Sequence, residues 1–326
     1  MFDNKCCNII LMKISAHIKT YISFALMLVG FLFSQKTFSQ QEPRYTQYMH
    51  NIITINPAYT GTRDALSMIL LSRLQWVGLD GAPRTHNFAA HTPLRDHTMG
   101  LGLSLVSDEY GPVNNLFLNF SYAYRVNITE KTILSLGLNG GLYNYHVGLS
   151  SLNVDETDPS FSKDLEQKFI PNAGFGLYLY SPKYYAGVSF PRLFQTELGD
   201  NDSPGEQMHT LQRHFFVMAG YDIDVGSQMV LKPSFITRVV EGAPFSADIT
   251  ARLLLRETYE AGFSYRPGES LSLLTGMHIN PQLLIGYAYD FSNADMRPFN
   301  NGSHEIVVSY EFGKTTKEKV VSPRNF

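Results

Sequence analysis

The chain of 326 residues carries 26 Lys and Arg against 29 Asp and Glu, a net charge of −3, which excludes a basic protein that coats nucleic acid and an acidic disordered tail. Charged residues make up only 17 % of the sequence and aromatic residues 13 %, nearly all Tyr and Phe, whereas soluble domains carry roughly 25 % charge. Mean hydropathy is nonetheless slightly below zero, too polar for a bundle of membrane helices, so the fold must hide apolar side chains on one face of each element and show polar ones on the other.

At the N-terminus, Lys13 and Lys19 precede an uncharged run from Thr20 to Gln35, and Thr37-Phe38-Ser39 offers a small residue for cleavage. The apolar centre is short for a spanning helix, so residues 1–39 read as a secretory signal peptide that leaves Gln40 or Gln41 as the new end. Met12 is a more ordinary start than Met1. Without residues 1–39 the chain keeps 22 Lys and Arg against 28 Asp and Glu, or −6. Both cysteines, Cys6 and Cys7, leave with the signal, which excludes disulfides, zinc–thiolate sites and a cysteine nucleophile from the rest. Residues 40–64 follow with no clean period, and Asn56-Pro57 and Gly61 read as turns. We expect a periplasmic or plug-like arm there.

From residue 65 the chain alternates with period two. Leu116, Leu118, Phe120, Tyr122 and Tyr124 stand against Asn115, Asn119, Ser121 and Arg125, and Phe245, Ala247, Ile249, Ala251, Leu253 and Leu255 against Ser246, Asp248, Thr250, Arg252 and Arg256. The same dyad runs through Tyr259 to Tyr265, Leu283 to Phe291 and Ile306 to Phe312. This pattern predicts about fourteen strands, near 65–76, 84–92, 98–107, 114–126, 131–146, 171–181, 183–190, 211–225, 228–239, 244–256, 257–266, 270–278, 282–292 and 303–312. Joints after even-numbered strands are tight, as at Val126 to Glu130 and Ser181 to Lys183, while those after odd-numbered strands include Val147 to Ile170, Pro191 to Thr210 and Asn293 to Gly302.

Alternation alone fits a soluble sandwich equally well. The export signal and the two families of connections decide for an all-β, up-and-down antiparallel transmembrane β-barrel over residues 65–312, with long extracellular loops, short periplasmic turns and a periplasmic tail at 313–326. Tyr143, Tyr145, Tyr178, Tyr180, Tyr184, Tyr185, Tyr287 and Tyr289 suit aromatic girdles at the membrane surfaces. Gly137, Gly140 and Gly141 mark a bend or the close approach of material in the lumen. Lys232, Arg238, Asp248, Arg252, Arg256, Glu260, Arg266, Asp290, Glu305 and Glu311 are expected to face that lumen. Their mixed sign suits a braced or plugged interior better than a selective ion pore.

A search for chemistry returns little. There is no phosphate loop and no G-x-S-x-G elbow, and Gly100-Leu101-Gly102 lacks the third glycine of a dinucleotide fingerprint. His86 and His91 have opposite strand parity and make poor joint ligands, and His97, His209, His214 and His304 read as solvated or girdle residues at loops or strand ends. Asp155, Glu156, Asp158, Asp164 and Glu166 form an acidic cluster without the spacing of a known calcium loop. We therefore expect no enzyme, no catalytic, cofactor-binding or metal residues, and no cofactor.

Several segments resemble the PorP/SprF family of outer-membrane proteins of the type IX secretion and gliding apparatus of Bacteroidota. They are Gln41 to Met49, Asn56-Pro57-Ala58-Tyr59-Thr60-Gly61, Arg73-x-Gln75-Trp76-x-Gly78, Gly81 to Thr85, His91 to Leu94, Gly100 to Ser104, Pro171 to Gly176, Tyr184 to Gly187 and Ser303 to Ile306. The C-terminal strand closes on Tyr310-Glu311-Phe312, an aromatic-x-aromatic end, but has Val307 where many barrels have Gly. The resemblance implies a non-enzymatic barrel in the outer membrane. It would work with the periplasmic ring and the peptidoglycan-binding components of the machine, helping to export or surface-attach large adhesins that bear a C-terminal sorting domain. The alternative from the residues alone is an outer-membrane porin or solute-specific channel.

Overall fold

A computed structural model describes residues 43–94, 97–151, 164–199, 207–240, 243–292 and 297–313. The export segment, Asp155, Glu156 and Asp158 of the acidic cluster, and residues 314–326 of the tail lie outside the described residues. The strands are β1 (Ser67–Leu74), β2 (Arg84–Pro93), β3 (Met99–Tyr110), β4 (Val113–Asn127), β5 (Ile133–Val147), β6 (Leu165–Tyr180), β7 (Tyr184–Arg192), β8 (Thr196–Gly199), β9 (Gln207–Leu211), β10 (His214–Tyr221), β11 (Ile223–Asp224), β12 (Met229–Val240), β13 (Ser246–Leu255), β14 (Tyr259–Arg266), β15 (Ser270–His278), β16 (Leu283–Ser292) and β17 (Ser303–Glu311).

These strands make a closed antiparallel barrel. Each wall strand pairs with its sequence neighbours, β10 pairs with both β7 and β12, and β1 pairs with β17 from Ser67↔Glu311 to Leu74↔His304. The short β11 pairs with β12 beyond the end of β10, so the two act as one wall strand and the wall has fourteen. The hairpin β8–β9 pairs only with itself and was not expected within the connection 191–210. Two further connections differ from the sequence reading. β3 and β4 run on to leave only Gly111 and Pro112 between them, and β6 starts at Leu165 rather than 171. In both places the wall continues past the apolar alternation, because backbone pairing needs no apolar side chain.

Both ends of the barrel chain, Ser67 and Glu311, lie at one mouth. The connections at that mouth are short, as at 128–132, 181–183, 256–258 and 279–282, while the opposite mouth carries 75–83, 148–164, 193–213 and 293–302. That asymmetry is the one outer-membrane barrels show, with strand termini on the periplasmic side. None of the described helices is long and apolar enough to cross a membrane.

The expected outward set does face out. Phe120, Tyr122, Tyr124, Ile249, Phe263, Tyr265, Ile285, Phe291 and Ile306 are all exposed large apolar residues in mid-wall or near strand ends. Rings stack across neighbouring strands on this face, Phe175 on Phe190 at 5.2 Å and Phe190 on Phe215 at 4.6 Å. Tyr287 and Tyr289 flank His304, whose Nδ1 lies 2.7 Å from the Tyr287 hydroxyl. At the terminus mouth Tyr184, Tyr221, Tyr259 and Phe312 are exposed.

Five of the eight proposed girdle tyrosines face the lumen instead. Tyr143, Tyr145, Tyr178, Tyr180 and Tyr185 are all at most 5 % exposed. Their parity explains it: Tyr143 and Tyr145 alternate in step with the buried Ser135 and Gly137 of β5 and so share the inner face. Arg256 is the other correction. It sits exposed in the turn after β13 at φ 52°, donating from Nε to Gln228 Oε1 at 3.1 Å, because β13 stops at Leu255.

Phe263, 54 % exposed in the middle of β14, separates a membrane wall from a soluble one. In urea titrations of barrel refolded into lipid vesicles, Phe263→Arg should lower unfolding stability by about 2–4 kcal/mol, the cost of a cation at the lipid midplane, whereas a water-facing site would change by less than about 0.5 kcal/mol.

Candidate functional site in the barrel lumen

Residues 43–63 stand inside the barrel. Three 3₁₀ turns, Tyr48–His50, Ile52–Thr54 and Pro57–Tyr59, shape this arm, and every residue from Arg44 to Arg63 except Thr54 is buried. The last turn is specified locally: the Asn56 side chain accepts from Ala58 N at 3.0 Å, and Pro57 supplies a preset φ where no N–H is needed. A segment this rich in uncoupled backbone groups must be bonded by the wall if it is to be buried.

The wall supplies those bonds from all sides. Glu305 of β17 accepts from Thr46 N at 2.8 Å and Gln47 N at 2.7 Å, and Asp290 of β16 accepts from the Thr46 hydroxyl at 2.8 Å. Arg73 of β1 ties this corner together, 2.6 Å from Asp290, 3.0 Å from Glu305 and 2.8 Å from Thr46 Oγ1. Tyr48 donates to Ser234 of β12 at 3.0 Å, and Asn51 donates to Asn87 of β2 at 2.8 Å. Asn56 donates to the β6 carbonyl of Leu177 at 3.0 Å, and Ser189 of β7 donates to Ile55 O at 2.8 Å. Gly61 N donates to His91 Nδ1 at 3.1 Å, and Arg125 of β4 donates to Gly61 O. A segment bonded to β1, β2, β4, β6, β7, β12, β16 and β17 at once crosses the interior of a closed wall.

Ion pairs hold both ends. Arg63 pairs with Glu311 at the terminus mouth, and Arg44 pairs with Glu269, in the connection 267–269 at the opposite mouth. Between them, Glu260 of β14 lies 2.7 Å from Arg252 and 3.5 Å from His50. The His50 ring nitrogen Nε2 also lies 3.4 Å from Arg252 Nη1.

Of the charges assigned to the lumen, Lys232, Arg252, Glu260, Arg266, Asp290, Glu305 and Glu311 are buried there, and Asp248 is partly buried and pairs with Arg266. Arg238 lies over the Phe216 ring at 5.4 Å. Sequence reasoning missed Arg44, Arg63, Arg73 and Arg192 as lumen charges. For Arg73 no pattern could have found it, since its inward neighbours are Ile69 and Leu71, apolar because they pack on the arm rather than face water. His91 and His214 are buried while His86 is exposed beside Ser72, so His86 and His91 do point to opposite faces, and His214 is not the solvated residue expected. Among the described residues no three His, Cys, Asp or Glu side chains are placed to hold a metal. Glu166 lies 2.8 Å from Lys168, and Asp164 accepts from Ser150 N at 2.9 Å.

Glycine makes room where the arm meets the wall. A Cβ on Gly137 would fall 2.1 Å from Ala58 N, one on Gly100 2.5 Å from Thr60 O, and one on Gly176 2.0 Å from Asn56 Oδ1. Gly137 therefore records the close approach expected of it, whereas Gly140 faces outward with nothing within 4 Å. Tyr59 packs edge-on against Tyr178 at 5.4 Å and His91 at 5.5 Å, so arm and wall share one apolar cluster with Met49, Ile52, Ile69 and Leu71.

Comparison with known families matches residues 37–310 to the type IX secretion system membrane protein PorP/SprF. The chain belongs to the PorP/SprF family. Its match covers the arm as well as the barrel, and several residues that carried the resemblance meet in the lumen: Thr46 and Gln47, Asn56 to Gly61, Arg73, His91, Gly100 and Glu305. No curated protein matches the chain. Among solved structures it is similar to the Acinetobacter baumannii outer membrane protein Omp33, at 8 % identity and TM-score 0.45 over 76 % of this chain and 99 % of that one. It is also similar to the CymD monoaromatic hydrocarbon channel, at 14 % identity and TM-score 0.45 over 81 % and 93 %. A Pseudomonas aeruginosa FadL homologue gives 10 % identity and TM-score 0.45 over 80 % and 94 %. Likenesses this distant carry no argument about activity.

The glycine contacts give a paired test. Gly137→Leu should displace the arm and lower unfolding stability by roughly 1–3 kcal/mol, whereas Gly140→Ala, three residues along, should leave stability equal or raise it by roughly 0.5–1 kcal/mol. Urea unfolding of the two variants in one vesicle preparation checks both, and equal losses would contradict the placement of the arm.

Proposed function

We propose that this PorP/SprF member is a sealed, non-enzymatic outer-membrane component of the type IX secretion and gliding machine that acts through its two surfaces rather than through its bore. The observation that carries this reading is the arm itself, bonded to eight wall strands across the lumen. In this reading the short-turn mouth meets the periplasmic ring and the peptidoglycan-binding components. The long connections at the opposite mouth meet large adhesin-type cargo with a C-terminal sorting domain. The arm and its ion pairs leave little support for a porin or solute channel, since a conducting path would have to run through charges already paired with one another.

Deleting the gene should remove a large adhesin from the cell surface while its periplasmic pool persists. Unchanged surface display, with no paralogue expressed, would refute the reading. Purified barrel in planar bilayers should show no steady conductance, and ohmic single-channel steps in the unmodified protein would instead establish an open pore.

A further inference from the structure

A groove of about 310 Å³ opens on the outward face of the wall where the sheet closes, across β17, β1, β2 and β3. Its apolar lining is Leu70, Phe88, Leu105, Ile306 and Val308. Leu70, Leu105 and Ile306 are 56, 37 and 50 % exposed, so the groove faces lipid and not the lumen. The register sets Val308, Leu70, Phe88 and Leu105 side by side, one from each strand, a row about 14 Å across at ~4.8 Å per strand. Sites for small organic molecules begin at volumes of about 300 Å³.

The next row toward the long-connection mouth turns polar. It reads Ile306, Ser72, His86 and Ser107, and all four line the groove. Ser72 Oγ lies 3.0 Å from His86 Nδ1, which leaves Nε2 of the exposed ring for another bond. Because β2 begins at Arg84, His86 stands two residues inside that edge of the wall. Arg84 shares its strand parity and is exposed on the same face. Glu109 is the neighbour of Arg84 in the row beyond, but among the described residues no carboxylate lines the groove.

Donors at the rim above an apolar channel follow the order of a phospholipid, phosphate at the membrane surface and acyl chain beneath it. A guanidinium presents the N–H fork that suits a phosphate. An extended peptide in the same groove would bring backbone N–H and C=O groups to a closed wall with no free strand edge to bond them, whereas an acyl chain brings none.

We propose that the groove across β17, β1, β2 and β3 holds an acyl chain of a phosphorylated lipid from the leaflet at the long-connection mouth, with its phosphate bonded by Arg84 and by Nε2 of His86. The site concerns the membrane-facing wall alone, and its failure would leave the secretion reading intact.

The probe is dilauroyl phosphatidic acid, with dilauroylglycerol as the counterpart that lacks the phosphate, titrated in mixed micelles against the full-length barrel and read by native mass spectrometry as retained lipid. One phosphatidic acid should be retained and the diacylglycerol should not. The double variant Arg84→Gln, His86→Gln should weaken retention at least about fivefold, the loss of charge-assisted bonds to the phosphate. Leu105→Trp, which fills the groove from an outward position and leaves both donors in place, should weaken it as well. Arg256→Gln, at the opposite mouth, should leave it unchanged, and excess inorganic phosphate should not displace the lipid. No retained lipid, equal retention of both lipids, retention unchanged in the double variant or in Leu105→Trp, an equal loss in Arg256→Gln, or displacement by inorganic phosphate would each overturn the proposal.

Discussion

A sheet that closes on itself at membrane depth satisfies every backbone group, but the number of strands then fixes the width of the space inside. Eight strands leave an interior that side chains can fill. Fourteen leave more, and here the inner face carries charges that cannot stay unpaired without water. The rest of this structure follows from how that interior is filled. The arm brings its own backbone N–H groups, hydroxyls and guanidiniums to the wall, so that Glu305 finds Thr46 N, Gln47 N and Arg73, and Glu311 finds Arg63.

Buried ion pairs of this kind add little net stability, since desolvation offsets most of the attraction. Their effect is on register. Removing one partner strands the others, and Arg73 serves two carboxylates from two strands while also holding the arm by Thr46. The apolar cluster of Tyr48, Met49, Ile52, Tyr59, Ile69 and Tyr178 supplies the nonspecific attraction. The polar bonds and the glycine clearances at Gly100, Gly137 and Gly176 decide which residue of the arm meets which strand. Wall and plug therefore form one packed unit, and the wall fold cannot be described without its N-terminal segment.

Filling the bore moves any work to the surfaces. The two mouths differ in chemistry as well as in loop length. The terminus mouth carries the exposed Tyr184, Tyr221 and Tyr259 beside short turns, whereas the opposite mouth carries the longer connections and the separate hairpin β8–β9. A barrel built this way offers each compartment a distinct, fixed surface across one rigid wall, which suits a component held within a larger assembly.

The sequence by itself determined the wall. Period-two alternation is a local property, because successive side chains of a strand must point to opposite faces whatever lies beyond them, and it located fourteen strands and the lumen side of Asp290, Glu305 and Arg252. Parity also contained the answer for Tyr143 and Tyr178, where ring chemistry was read in its place. What only the tertiary structure decided is which distant residues meet. Arg73, Asp290, Glu305 and Thr46 come together across 259 positions of chain separation, and Ile69 and Leu71 show an apolar inner face only because the arm covers them. Those pairings depend on barrel closure, a condition satisfied by the whole sheet at once and carried by no local segment of it.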